Sequence, residues 1–129
     1  MASLNRKIGE MGFDGLITQL IPPVQVRGRT IRKLGAAATL KRGTIMAISS
    51  TDGKLVMLGT NAASGETLTP DCILTDDIDV GTDADINAAV YTAGCFDFGK
   101  CTVAENYTVT AADYDALRVR DIVFHNSID

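Results

Sequence analysis

Three sets of residues in this 129-residue chain have the type and spacing to do chemistry. The first is "TDDIDVGTDADI", which sets Asp76, Asp77, Asp79, Asp83 and Asp85 close together. Asp77, Asp79, Gly81, Asp83 and Asp85 alternate as in a calcium loop. An EF-hand needs glycine at its sixth place and a bidentate glutamate at its twelfth, between two helices. Counted from Asp77, Gly81 stands fifth and Ala88 twelfth, and the flanks read as strands. Paired carboxylates working as acid and base need a buried pocket that splits their pKa values, which a Gly/Asp loop does not supply. The residues favour a solvated bend without a metal.

The second set is Cys72, Cys95, Cys101 and His125. Structural zinc sites bring cysteines in close pairs, C-x2–4-C, whereas the tightest spacing here is C-x5-C. An odd number of unpaired cysteines is no disulfide framework. Free thiols, packed as small hydrophobes, are expected, with a Cys95–Cys101 disulfide on exposure to air as the alternative. The third set is a nucleophilic Cys–His pair. His125 is the only histidine, and no glycine-rich elbow surrounds a cysteine. The dinucleotide, P-loop and G-x-S-x-G signatures are missing. The chain reads as non-enzymatic, without catalytic residues, metal or cofactor.

The elements that would position these residues are short. The length argues for one domain. With 46% apolar residues, no tryptophan and little aromatic content, the core must rest on Leu, Ile, Val and Ala. No apolar run approaches the ~20 residues of a membrane-spanning helix, and the first residues show no secretory h-region. Val24 and Val26 alternate with Gln25 and Arg27, the period of a strand, with Gly28 as a possible bend. Strands over Thr44–Ser49 and Lys54–Leu58 flank Asp52-Gly53, a hairpin turn pair. Further strands are expected over Cys72–Ile78, over "INAAVYTAGCF" with a break at Gly94, and over residues 121–125. Thr110 is placed to cap a helix over Ala111–Val119. The pattern is a small, mainly β domain with one late helix. Tyr91, Phe96, Phe98 and Phe124 are expected in its core.

Charge divides the chain. Residues 1–42 hold eight Lys/Arg against Glu10 and Asp14, net +6, and the rest holds four against fourteen, net −10. A basic leading segment on an acidic body bears on partners. Its cations are spread and lack interleaved aromatics for base stacking, so neither nucleic acid nor membrane is expected. "IPPVQV" is preset to be extended. Residues 1–23 therefore read as an extended or flexible arm, and 24–129 as the β domain.

The ordered pieces resemble a known family. "LKRGTIMAI" followed by "GKLVMLGT", then "DCILTDDIDV", "AAVYTAGCFDFGKCTV" and "LRVRDIVF" are similar to the successive strands of tailed-phage head decoration, or capsid cement, proteins of the lambda type. The resemblance covers about Pro22 to Phe124. It departs at Cys72, Cys95 and Cys101 and in the basic N-terminal extension. It implies a β-clip-like, incomplete-barrel domain with one short C-terminal helix and an extended N-terminal arm. It also implies a homotrimer made in the host cytoplasm and bound to the major capsid protein on the outer surface of the expanded head, at local three-fold sites. The arm would add a strand to capsid elements. Phe13, Leu16, Ile17, Leu20 and Ile21 are then candidate anchors, and Val24 and Val26 set register. Arg27, Arg29, Arg32 and Lys33 are electrostatic guides, although their residue types fit a solvated strand face equally well. The alternative is another virion surface role: a head-fibre or tail subunit, or a glycan-binding module.

Overall fold

The longest strand runs Ile86–Phe96 and organises the rest. The computed structural model describes residues 16–19, 23–105 and 107–124. In chain order the strands are β1 (Ile17–Gln19), β2 (Gln25–Ile31), β3 (Ala38–Leu40), β4 (Ile45–Ser49), β5 (Leu55–Met57), β6 (Leu68–Leu74), β7 (Ile78–Val80), β8 (Ile86–Phe96) and β9 (Ile122–Phe124). A 3-10 turn at Phe98–Lys100 and one helix, α1 (Ala111–Val119), lie between β8 and β9. The fold is mainly β: 44% of the described residues are strand and 12% helical.

Eleven residues at ~3.3 Å each make β8 long enough to serve two layers. Its first part pairs with β2 on one side and, at Val90 and Tyr91, with β6 on the other. Its last residues pair antiparallel with β1 and parallel with β9. β4 lies between β5 and β6, both antiparallel. A single parallel pair, Ile31 with Leu55, then joins β2 to β5. Strands β2, β5, β4, β6 and β8 thus close into a five-stranded, barrel-like ring.

Period-2 alternation explains how this ring is buried on both faces. One set of side chains draws on every ring strand: Ile31, Met46, Leu55, Cys72, Leu74 and Val90. This set fills the ring, joined by Leu40 and Val80 from a small antiparallel β3–β7 sheet. Alternate residues on β4, β5, β6 and β8, namely Ile45, Ala47, Val56, Ile73 and Tyr91, face the other way. They pack under Leu16 and Ile17, Phe96, Leu117 of α1 and Ile122 of β9. Successive residues of one strand therefore serve two cores.

Local chemistry fixes the connections. In the β4–β5 hairpin, Gly53 takes φ 70° and the Lys54 amide donates to Asp52 Oδ1 at 3.0 Å. Thr110 and Asp113 form a reciprocal capping box: the Asp113 amide donates to Thr110 Oγ1 (3.2 Å) and the Thr110 amide to Asp113 Oδ2 (3.0 Å). Two of the donors left open at a helix start are satisfied in this way. Asp121 then takes φ 65°, a conformation aspartate tolerates. Its carbonyl accepts from the Gly94 amide at 2.9 Å and delivers the chain into β9.

Most elements lie where periodicity puts them, with four differences. The strand expected at Cys72–Ile78 begins earlier, at Leu68, and ends at Leu74. Ala47 pairs with Pro70 and Met46 with Cys72, leaving Asp71 as an extra residue. A bulge of this kind is where a sheet tolerates proline. Ile78–Val80 instead pairs with Ala38–Leu40, a strand not expected from the sequence. Gly28 makes no bend and pairs regularly with Ala89. β8 does not break at Gly94, where φ is 147° and an added Cβ would lie 2.9 Å from the Phe96 ring.

Candidate functional site

The sequence-derived contact residues divide into three groups. Phe13, Leu20 and Ile21 lie outside the described residues. Leu16 and Ile17 are buried in the second core of their own chain, Leu16 being 1% exposed. The Asp97 amide donates to the Leu16 carbonyl at 2.7 Å, and Ile17 pairs with Phe96. Over these residues the leading segment is a strand of the fold, and its anchors are seated inward. Val24 is half-buried against the same core, with Cγ2 3.3 Å from where a Gly94 Cβ would sit.

Val26, Arg27 and Arg29 remain outside, on β2. Val26 is 47% exposed and Arg27 is exposed. Strand β2 is hydrogen-bonded to β8 along its whole length but meets β5 only at Ile31. Among the described residues no strand covers the other side of Gln25–Thr30. The result is an open backbone edge with one exposed apolar side chain and two cations.

Arg29 is part of a second arrangement. Its Nε lies 3.8 Å from Asp71 Oδ2, and Arg120 Nε donates to Asp71 Oδ1 at 3.3 Å. The bulged, buried carboxylate of β6 is thereby held between a guanidinium of β2 and one at the C-cap of α1. Arg120 also donates to the Ala116 carbonyl at 3.3 Å. Both guanidinium groups remain about one-third exposed, so the cluster shows a net positive face beside the β2 edge.

Arg32, a third proposed guide, has a different role. Arg32 forks onto Asp52 and reaches Glu66 Oε2 at 2.6 Å. The Glu66 side chain is 3% exposed and also accepts from the Ser49 hydroxyl and, at 3.0 Å, the Ala63 amide. The Arg32 guanidinium, with these donors, holds the Glu66 carboxyl down to about 2. Arg32 is therefore committed to clamping the 59–67 loop onto the hairpin turn. Lys33 is exposed, and its amide donates to Asp85 Oδ1 at 2.9 Å.

The aspartate stretch has a structural use for most of its carboxylates. Asp77 accepts from the Arg42 amide (2.8 Å) and lies 3.7 Å from Lys41 Nζ. Asp79 accepts from the Thr39 hydroxyl at 2.5 Å, across the β3–β7 pair. Asp85 accepts from Lys54 as well as from Lys33. Asp76 and Asp83 are exposed. No group of three or more His, Cys, Asp or Glu among the described residues is arranged to hold a metal ion.

Cys72 fills the ring, Cys95 lies under β1 with Sγ 3.2 Å from Thr18 Oγ1, and Cys101 is half-buried with Sγ 3.4 Å from the Asp97 carbonyl. All three are free thiols. Burial pushes the Cys72 thiol well above its ordinary value and Cys101 up to about 12. A nucleophilic or metal-binding cysteine needs the opposite shift. His125 lies outside the described residues. Of the aromatic residues, Tyr91 and Phe96 are buried, and Phe98 and Phe124 pack half-buried against the same core.

The sequence reading missed Arg120, Asp71 and the Arg32–Glu66 clamp. Their partners lie 49 and 34 residues apart, and only the strand order brings them together. The Pro70-Asp71 pair just before the apolar Cys72-Ile73-Leu74 was the one local sign of the bulge. No protein-family model matches the chain, and no curated protein matches it.

Proposed function

We propose that the chain is a capsid decoration protein of a tailed phage, which binds the outside of the expanded head and holds neighbouring capsid subunits together. The observation that carries this reading is the ordered run of sequence segments resembling that family. Those segments correspond to β4–β5, β6–β7, β8 and the α1–β9 end of a small, mainly β fold with a single late helix among the described residues. The open edge of β2 supports it further. Gln25–Thr30 offers unpaired main-chain groups to a strand of the major capsid protein, and main-chain bonding of this type supplies affinity while alternate side chains set register. Val26 would pack at that joint, and Arg27 and Arg29 would face an acidic capsid surface.

The mechanism is mechanical. DNA packed inside the head loads the joints between capsomers, and a body bridging a joint must be peeled away before it opens. Three such bodies joined as a trimer at a local three-fold position act multivalently, so modest contacts give strong retention. No reacting group is used, and the raised thiol pKa values fit that role. The test is co-sedimentation with expanded, undecorated heads of the phage that encodes the chain. The expected result is saturable binding that weakens as salt rises and the cationic contribution is screened. Failure to bind such heads at low salt would refute the proposal.

A further inference from the structure

We propose that the outer edge of β9, with the groove beside it, docks an extended peptide segment bearing an acidic side chain. β9 pairs with β8 on one side, and among the described residues no strand lies on the other. Native edge strands are blunted by shortness, lysine, proline, a bulge, an inward charge or a covering element. β9 is short, at three residues, but Ile122-Val123-Phe124 carries no lysine, proline or charge.

The edge opens onto a groove of about 400 Å³ lined by Tyr114, Arg118, Ile122, Val123 and Phe124. Its apolar wall is backed by an aromatic cluster. Phe98, Tyr114 and Phe124 stack edge-on or tilted, with ring centroids 5.4–5.7 Å apart. Val119, on the last turn of α1, is 82% exposed. Among the described residues of the lining Arg118 is the only charged one. Among the described residues its ion-pair partner is Asp115, in an exposed i,i+3 pair with both side chains about two-thirds exposed. A pair of that kind contributes little, so the guanidinium is available to a better-placed carboxylate.

The spacing selects an extended occupant. Tyr114 and Arg118 lie one helical turn apart on one face, ~6 Å along the axis. Alternate residues of a strand lie ~6.6 Å apart on one face. A peptide hydrogen-bonded to β9 therefore sets one apolar side chain against Tyr114 and Phe124, and the next side chain on that face at Arg118. Charge complementarity makes that second residue aspartate or glutamate, since a bidentate guanidinium–carboxylate pair is favoured there and a lysine is repelled.

The test uses the full chain, isotope-labelled for NMR, and three peptides: acetyl-Thr-Val-Thr-Asp-Thr-amide, its Lys-for-Asp analogue, and a backbone N-methylated form of the first. The first should shift the Val119, Val123 and Phe124 amides in a saturable way. The lysine and N-methylated forms should bind at least about tenfold more weakly. Arg118→Glu, an exposed substitution whose folding the same spectra report, should reverse the order of the acidic and lysine peptides. Equal shifts from all three peptides, or shifts from none, would overturn the proposal. Concentration-dependent shifts of these amides without peptide would also overturn it, by showing that a second copy of the chain occupies the edge.

Discussion

At the scale of single residues, the side chains that matter most are polar groups tying distant segments together. Glu66 is the sharpest case. Its carboxyl is held down to about 2 in the folded chain by Arg32, against an ordinary value of 4.5. A depressed carboxyl stabilises the fold above its unfolded pKa and loses that contribution as pH falls through the folded one. Thermal stability should therefore decline between about pH 4.5 and pH 2. Glu66→Gln should lower the melting temperature at pH 7 and flatten this acid limb, as melting curves across that range will show. An acid limb unchanged in the variant would mean the clamp contributes nothing. Thr110→Ala removes the helix cap and should cost about 1 kcal/mol by denaturant unfolding. Of these two features, Thr110 was legible from sequence because a cap acts within three residues. Glu66 was not, because its partner Arg32 is 34 positions away.

At the scale of elements, the leading strand and β8 carry the account. Leu16 is fully enclosed with Ile17 and Phe96, so Leu16→Ala should destabilise by ~2–5 kcal/mol, the range for emptying a core leucine site. Val26→Ala, on the exposed side of β2, should stay within about 0.5 kcal/mol. Unfolding in urea separates the two, and equal small effects would place Leu16 outside the core. Gly94→Ala meets both a positive φ and the Phe96 ring and should destabilise clearly, with loss of β1 and β9 protection in amide exchange.

The hairpin, β8, the helix and the closing strand were readable because each carries its own period, turn or cap. The small β3–β7 sheet was not. Three-residue strands have almost no period, and Ile78–Val80 sits in a run of aspartates that resembles a loop. The candidate contact surface was partly readable. Val26 and Arg27 are exposed as expected, but nothing local says that Leu16 and Ile17 turn inward or that Arg32 is consumed by Asp52 and Glu66.

At the scale of the whole molecule, two of the backbone edges left open among the described residues differ in character, β2 guarded by arginines and β9 apolar. The proposed role in the capsid rests on the first. Arg27 has no partner among the hydrogen bonds and ion pairs described, so Arg27→Glu should leave stability within about 0.5 kcal/mol. It should slow association with heads and reduce the salt dependence of that rate, since exposed charges at the rim act mainly on encounter. Stopped-flow mixing at several ionic strengths reads this directly.

The most direct measurement is amide hydrogen exchange of the full chain, free and bound to expanded heads. If β2 lends its edge to a capsid strand, exchange of the outward-facing amides of Gln25–Thr30 slows by at least about tenfold on binding, while those bonded to β8 and the ring core, protected already, change little. Binding that leaves Gln25–Thr30 exchanging at the free rate would contradict the account.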